Sequence, residues 1–348
     1  MSEIPTGGPV VAPYSYELPR DRIAQRPVHP PESARMLVVD RSTGSISHST
    51  FAELRRFLRA GDRLVFNETK VIPARLFGKA AGADVEILLT EQVAATAWRC
   101  LARPLRRVKA VGSVQIGDVL RADLIGPELV DRAVLEFTSL VPERSVSELL
   151  EESGTMPIPP YIRSGHGDQQ DRVDYQSIFA KNEGSIAAPT ASLHFTSTLI
   201  DSLRQSPGCD VSTLTLHVGT ASFQPVVVDG GLRPPATERF VVPSATMAEI
   251  ESTKRSSGRI VAVGTTTTRA LETAAAAGGE EGETGLFIQP GFSFRVVDAL
   301  VTNFHQPGTT HLLLVEALLG RDLLAACYDA ALAEGYRFLS YGDGMLIV

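Results

Sequence analysis

Three histidines stand where proton transfer would need them. His194 follows Ala191-Ser192-Leu193, His217 follows the apolar run Leu214-Thr215-Leu216, and His305 follows Leu300-Val301-Thr302-Asn303-Phe304. Imidazole titrates nearest neutral pH, so each is a candidate base or acid. Each also admits a structural reading: His217 as a hydrogen-bonded core residue, His194 as a capping or packing residue next to Thr196, and His305 as a loop residue at a sheet edge. Hydroxyls accompany them. Ile260-Val261-Ala262-Val263 breaks at Gly264 into Thr265-Thr266-Thr267-Thr268 and then a helical stretch. Thr265 and Thr266, with the N–H groups after Gly264, can hold a carboxylate or phosphate, or serve as plain N-caps. Asn67, Glu68 and Lys70 follow Arg63-Leu64-Val65-Phe66. Glu68 suits acid–base work or ribose hydroxyls, or a solvated turn.

These groups require a particular frame. β-branched apolar runs that end in polar loops and continue as helices describe an open α/β sheet, and such sheets bind ligands beyond the carboxyl ends of their strands. A strand at 36–40, a short helix at 51–58 capped by Thr50 and a strand at 63–66 begin the chain. From 74 to 145 the texture changes to short apolar runs split by Gly, Pro and charged turns, without helical periodicity. That pattern predicts a small antiparallel β-barrel. The expected organisation is an α/β domain over 1–73 and 146–348 interrupted by a barrel over 74–145. Residues 1–13 read as disordered, and 278–285 as an acidic loop.

Composition narrows the field. The 348 residues carry a net charge of -7, which disfavours broad electrostatic binding of nucleic acid but allows local basic patches such as Arg103 to Lys109. The scattered Cys100, Cys209 and Cys327 have no metal or redox spacing and suit a reducing compartment. No signal peptide and no membrane-spanning run is read, so a cytoplasmic location is expected. His305 and His311 lie six apart without a carboxylate motif, so no metal site is expected. His29, His48, His166 and His311 read as solvent-facing or structural, and Arg269 as one half of an exposed ion pair. Neither a dinucleotide fingerprint nor a P-loop is present.

Several stretches, in order, carry a resemblance: Asn67-Glu68-Thr69-Lys70, Pro159-Pro160-Tyr161, Ala187-Ala188-Pro189-Thr190, Leu193-His194-Phe195, Leu216-His217-Val218-Gly219, Gly264-Thr265-Thr266, Thr302-Asn303-Phe304-His305 and Tyr341-Gly342-Asp343-Gly344. The chain resembles the S-adenosylmethionine:tRNA ribosyltransferase-isomerase family of queuosine biosynthesis over nearly its whole length. The resemblance implies an α/β domain with an inserted barrel. It also implies an enzyme that moves the ribosyl carbons of S-adenosylmethionine, a co-substrate rather than a tightly bound cofactor. The acceptor is the amine of 7-aminomethyl-7-deazaguanine in a tRNA anticodon loop. The products are epoxyqueuosine-tRNA, adenine and methionine. Catalytic roles are expected for His194, His217, His305 and Glu68. Substrate contacts are expected from Asn67, Lys70, Tyr161, Thr190, Gly264, Thr265, Thr266, Thr302, Asn303, Tyr341 and Asp343. No membrane association is expected, and the expected state is a monomer. The family's usual histidine-bearing segment is shortened here to Gly230 through Glu238, and its Gly-Thr-Phe is Ala221-Ser222-Phe223. The alternative is therefore a paralogue that applies the same donor chemistry to a small amine or nucleoside. A non-catalytic RNA-binding protein is a third reading, disfavoured by histidines at strand ends.

Overall fold

The computed structural model describes residues 14–126, 132–219, 227–228, 231–232 and 234–348. The segment 1–13, the Ala221-Ser222-Phe223 departure, and Gly230 and Arg233 of the shortened segment lie outside the described residues.

The chain opens with an antiparallel pair, β1 (Arg35–Asp40) and β2 (Ser45–Thr50). A 3-10 turn over Phe51–Arg56 leads into β3 (Arg63–Asn67) and the short β4 (Thr69–Val71). The short helix expected at 51–58 is a 3-10 helix that stops at Arg56, and Thr50 gives it no side-chain cap. Thr50 is instead the last residue of β2, paired with Arg35, and the Phe51 N–H is taken by the Ala34 carbonyl.

Six antiparallel strands then close into a barrel: β5 (Arg75–Ala80), β6 (Ala83–Gln92), β7 (Ala97–Arg103), β8 (Ser113–Ile116), β9 (Leu120–Leu124) and β10 (Arg132–Ser139). Alternate residues such as Val85, Ile87 and Leu89 point inward onto Cys100, Ala102, Leu135 and Phe137, the period of two that a one-sided strand dictates. One helix breaks the expected all-strand texture. α1 (Leu105–Val111) buries Leu105 and Val108 against the barrel and leaves Arg106 and Arg107 outside. The basic run at 103–109 therefore includes one amphipathic helix rather than a turn.

The α/β part resumes with α2 (Val146–Ser153), capped by Ser145 and Glu148 in a reciprocal capping box. Next come α3 (Asp171–Asp174), β11 (Asn182–Ser185), a 3-10 turn over Thr190–His194, and α4 (Ser197–Gln205), which Thr196 caps through its side chain. β12 (Asp210–Leu216), β13 (Val227–Val228), β14 (Gly231–Leu232) and β15 (Glu238–Val241) follow, then α5 (Ser244–Arg255), β16 (Ile260–Val263) and α6 (Thr265–Ala277). The acidic stretch after α6 is not a loop throughout. β17 (Glu281–Thr284) pairs antiparallel with β15, using backbone groups that its acidic and glycine composition does not advertise. β18 (Ala299–Asn303), α7 (Thr310–Leu319), α8 (Arg321–Ala333) and β19 (Gly344–Ile347) complete the chain.

The main sheet has nine strands in the order β17-β15-β12-β3-β16-β18-β19-β1-β2. Its centre, β12-β3-β16-β18, is parallel. Burial on both faces explains the apolar runs at its centre. Val65, Ala262, Leu300 and Ile347 meet α6, α7 and α8 on one face. Leu64, Phe66, Val261, Val263 and Val301 meet Phe51, Leu54 and α4 on the other. The next strand after β3 joins on one side and β16 joins on the other, so the order reverses beside β3. A crevice opens beyond the carboxyl ends there. β19 runs antiparallel to β18, which brings its amino end, with Tyr341 and Asp343 just before it, to the same edge. Among the described residues no helix is long and apolar enough to cross a membrane.

Candidate active site

The crevice is lined by Tyr161, Tyr175, Val218 and four longer segments: Ala187 to Ala191; Gly264 to Thr266; Thr302 to Gln306 with Thr309 and His311; and Leu339 with Ser340. It encloses about 710 Å³ of space, its open mouth included. Of the residues expected to contact substrate, it gathers Tyr161, Thr190, Gly264, Thr265, Thr266, Thr302 and Asn303, and of the expected catalytic groups it gathers His305.

The β16–α6 junction shows how the sequence builds one wall. Gly264 has φ +98°, a conformation that L side chains rarely adopt, and this sharp bend lets the helix begin at once. The four threonines divide the labour. Thr267 and Thr268 return their hydroxyls to the carbonyls of Val263 (2.8 Å) and Gly264 (3.2 Å). Thr265 and Thr266 face the crevice, and no side chain caps the helix start. The first N–H groups of α6 thus add positive potential to this wall. Arg269, one turn later, is buried and not on an exposed face. It pairs with Glu238 and donates to the carbonyls of Thr284 (3.2 Å) and Leu286 (3.2 Å). Glu238 in turn accepts from the Gly219 N–H at 2.9 Å, which ties the loop after β12 to the base of α6.

His305 is held by its own strand end and by two tyrosines. Its Nε2 lies 2.7 Å from Thr302 Oγ1. Its backbone is fixed twice, because its N–H donates to Tyr328 Oη (2.9 Å) and its carbonyl accepts from Tyr16 Oη. Burial, and secondarily His311, push its pKa well below the ordinary histidine value. Burial thus favours the neutral ring, which has one nitrogen to give and one to accept. His311 is the residue that spacing arguments missed. Its ring stacks on His305 with centroids 5.2 Å apart and planes 15° from parallel, and it lines the crevice. Burial and then Arg269 lower its pKa to about 4. His311, read as solvent-facing or structural, packs on His305 at the crevice wall, whereas His29, His48 and His166 are exposed.

His194 lies one hydrogen bond behind the wall. It is buried, stacks on Phe51 at 4.0 Å, and its Nε2 is 3.3 Å from Asn303 Nδ2. Asn303 also donates to the Leu339 carbonyl (3.2 Å) and accepts from Thr190 Oγ1 (2.9 Å). This network assigns the lone pair to His194 Nε2. Burial, then Arg337, holds its pKa down to about 3. His217 stands at the end of β12, outside the crevice wall. Its Nδ1 is 2.9 Å from Thr69 Oγ1, and burial followed by Arg239 lowers its pKa. Asn67 connects this region to the crevice, for its Nδ2 donates to the Leu216 carbonyl (2.9 Å) and reaches Thr266 Oγ1 at 3.4 Å.

The remaining expected residues do not line the crevice. Glu68 accepts from Asn182 Nδ2 at 2.9 Å, and Lys70 forms a surface ion pair with Glu183 at 2.8 Å. Tyr341 donates to the buried Asp171 at 2.9 Å. Asp343 accepts from the backbone N–H groups of Arg35 (3.0 Å) and Arg337 (2.8 Å). The turn before β19 spends that carboxylate on joining chain segments. Gly342 is needed in the same turn, since a Cβ there would sit 2.5 Å from the Arg337 carbonyl oxygen. No group of three or more His, Cys, Asp and Glu among the described residues is arranged to hold a metal ion.

Comparison with known proteins agrees with this architecture. A family model described as queuosine biosynthesis protein matches residues 11–347. The chain is 42% identical to the S-adenosylmethionine:tRNA ribosyltransferase-isomerase of Geobacter metallireducens, covering 96% of this chain and 98% of that one. It is 43% identical to the protein of the same name from Thermotoga maritima, covering 97% and 99%. A crystal structure of S-adenosylmethionine tRNA ribosyltransferase from Thermotoga maritima matches with a TM-score of 0.55 at 37% identity, over 96% of this chain and 99% of that one. With a sheet, a barrel and an edge crevice assembled from the motifs that carried the resemblance, and with matches running nearly end to end, the chain belongs to the queuosine biosynthesis protein family.

Proposed function

We propose that this chain is an S-adenosylmethionine-dependent ribosyltransferase-isomerase. It transfers and isomerises the ribosyl moiety of S-adenosylmethionine onto the aminomethyl group of 7-aminomethyl-7-deazaguanine in tRNA. The observation that carries this reading is the meeting of Gly264-Thr265-Thr266 and Thr302-Asn303-Phe304-His305 in one crevice, in a chain with full-length relatives of that name. The reaction needs a base beside the sulfonium, polar contacts for a zwitterionic nucleoside, and shelter for reactive intermediates. His305 supplies the base: it is neutral, oriented through Thr302 and on the crevice wall. The free helix start at Thr265 and Thr266 receives the donor's carboxylate. Thr190 and Asn303 bind the donor's hydroxyls, and His194 acts through Asn303 as a positioning residue. His217 and Glu68 stand at the neighbouring strand ends, where an anticodon loop would enter, with Lys70 and Tyr161 on its path. We assign residues 74–145 to an inserted barrel domain, and we place the protein in the cytoplasm as a monomer, with S-adenosylmethionine as its only small co-substrate and no metal.

The test is direct. Purified protein is incubated with S-adenosylmethionine and tRNA bearing the aminomethyl base. Release of adenine with a matching mass gain on that nucleoside is the expected result, and no adenine release under any condition overturns the reading. Adenine release that needs only a small amine, without tRNA, replaces the acceptor and keeps the donor chemistry.

A further inference from the structure

His311 lines the crevice beside His305, yet nothing above gives it a role. It is the second residue of α7. α7 follows β18 and α6 follows β16, and the two strands are parallel neighbours. Ala270 and Leu271 of α6 share one core with Leu312 and Val315 of α7, so the two helices start side by side at the carboxyl edge. His311 therefore has two neighbours of consequence. One is α6, whose Arg269 is its nearest charge. The other is the His305 ring, stacked on it with centroids 5.2 Å apart.

The other buried histidines of this region spend a nitrogen inside the protein. His305 meets Thr302 at 2.7 Å, and His194 meets Asn303 at 3.3 Å. Neither nitrogen of His311 has a hydrogen-bond partner among the described residues. The side chain is only half-buried, and neither nitrogen is a sealed atom lacking a partner. Both are open to a ligand in the crevice. Burial and Arg269 favour the neutral ring, which keeps one nitrogen to accept a hydrogen bond.

The donor placed in this crevice is a zwitterion. Its carboxylate and ammonium share one carbon, and two methylenes separate that carbon from the sulfur. With the carboxylate at the start of α6 and the sulfur-bound carbon at His305, the ammonium falls in the stretch where His311 stands. No Asp, Glu, Lys or Arg lines the crevice among the described residues. An ammonium there must be met by neutral acceptors, because leaving it unpaired costs its desolvation. An imidazole held flat on a second ring presents such an acceptor in a fixed direction.

We propose that His311 is a substrate-contacting residue whose imidazole accepts a hydrogen bond from the α-ammonium group of bound S-adenosylmethionine. This rests on the donor assignment made above. It gives the two stacked histidines different tasks: His305 faces the reacting carbon, and His311 recognises the amino-acid end of the donor.

The experiment compares full-length wild type with His311→Phe, which keeps an aromatic ring on His305 and removes both nitrogens. Each is titrated by calorimetry with S-adenosylmethionine and with its deamino analogue, in which hydrogen replaces the α-amino group. The expected result is that wild type binds the analogue about tenfold more weakly, and that the variant binds the two ligands equally. Should His311→Phe fold poorly, His311→Leu is read in the same way. A tenfold preference that survives in the variant places the ammonium elsewhere and overturns the proposal. A wild type that binds both ligands equally has no ammonium contact and also overturns it. A wild type that binds neither ligand overturns the donor assignment and this contact together, which separates the two failures.

Discussion

The two ends of the central strands use polar side chains in opposite ways. At the amino ends of β3, β16 and β18 the charges satisfy one another. Asp62 is 1% exposed, pairs with Arg259 at 2.6 Å and accepts from the Arg59 N–H at 2.8 Å. Arg63 reaches Asp210, Glu249, Ser212 and Thr253, and Asp298 accepts from the Ile260 N–H at 2.8 Å. At the carboxyl ends of the same strands, Thr265, Thr266, His305 and His311 face open space. The strands are equally buried at both ends, so burial alone does not mark a site. What marks it is polar capacity left unspent by the fold.

Breaking the amino end should cost folding and spare chemistry. Asp62→Ala leaves Arg259 without its carboxylate and should lower unfolding free energy by about 3–5 kcal/mol, read by urea denaturation. Turnover per folded molecule should stay within about twofold of wild type. Breaking the carboxyl end should do the reverse. His305→Ala should reduce adenine release by about 10²-fold or more, with a denaturation midpoint close to wild type.

That contrast was only partly legible in the sequence. The parallel strands were readable because burial on both faces demands unbroken apolar runs, as in Ile260–Val263. The barrel was readable from its turn punctuation. α1 was not, since its two buried residues, Leu105 and Val108, give too short a period among basic neighbours. Asp343 and Tyr341 sit in a turn that looks ligand-binding, but whether a polar group is spent on backbone or left free is a three-dimensional fact. His311 escaped because six residues is the wrong spacing on a helix, while the loop at 305–309 folds so that the two rings stack. Tyr175 lies in the polar stretch Arg172-Val173-Asp174-Tyr175-Gln176, which gives no local sign of a buried wall.

Acid should sharpen the comparison. His194 is neutral when folded, with a pKa lowered from 6.5 to about 3. The unfolded chain binds that proton first, so the contribution is full above about 6.5 and is lost as pH falls toward about 3. His194→Gln should flatten the pH dependence of unfolding free energy in that window by up to about 1.4 kcal/mol per pH unit. Thr302→Val keeps the shape but removes the partner of His305 Nε2. It should lower turnover by roughly tenfold, with little change in S-adenosylmethionine affinity by calorimetry. The smallest effect belongs to Lys70→Ala. Its exposed pair with Glu183 should contribute about 1 kcal/mol or less, and its distance from the crevice wall should leave S-adenosylmethionine affinity unchanged.

The central claim is that the unspent polar groups at the carboxyl edge hold the sulfonium nucleoside. A crystal structure of the chain with S-adenosylmethionine tests it most directly. The nucleoside is expected in the crevice between Thr265, Thr302 and His305, with the carbon next to sulfur within reach of the His305 ring. Density for the nucleoside at the amino edge near Asp62 and Arg259, or anywhere that leaves the His305 crevice empty, would contradict it.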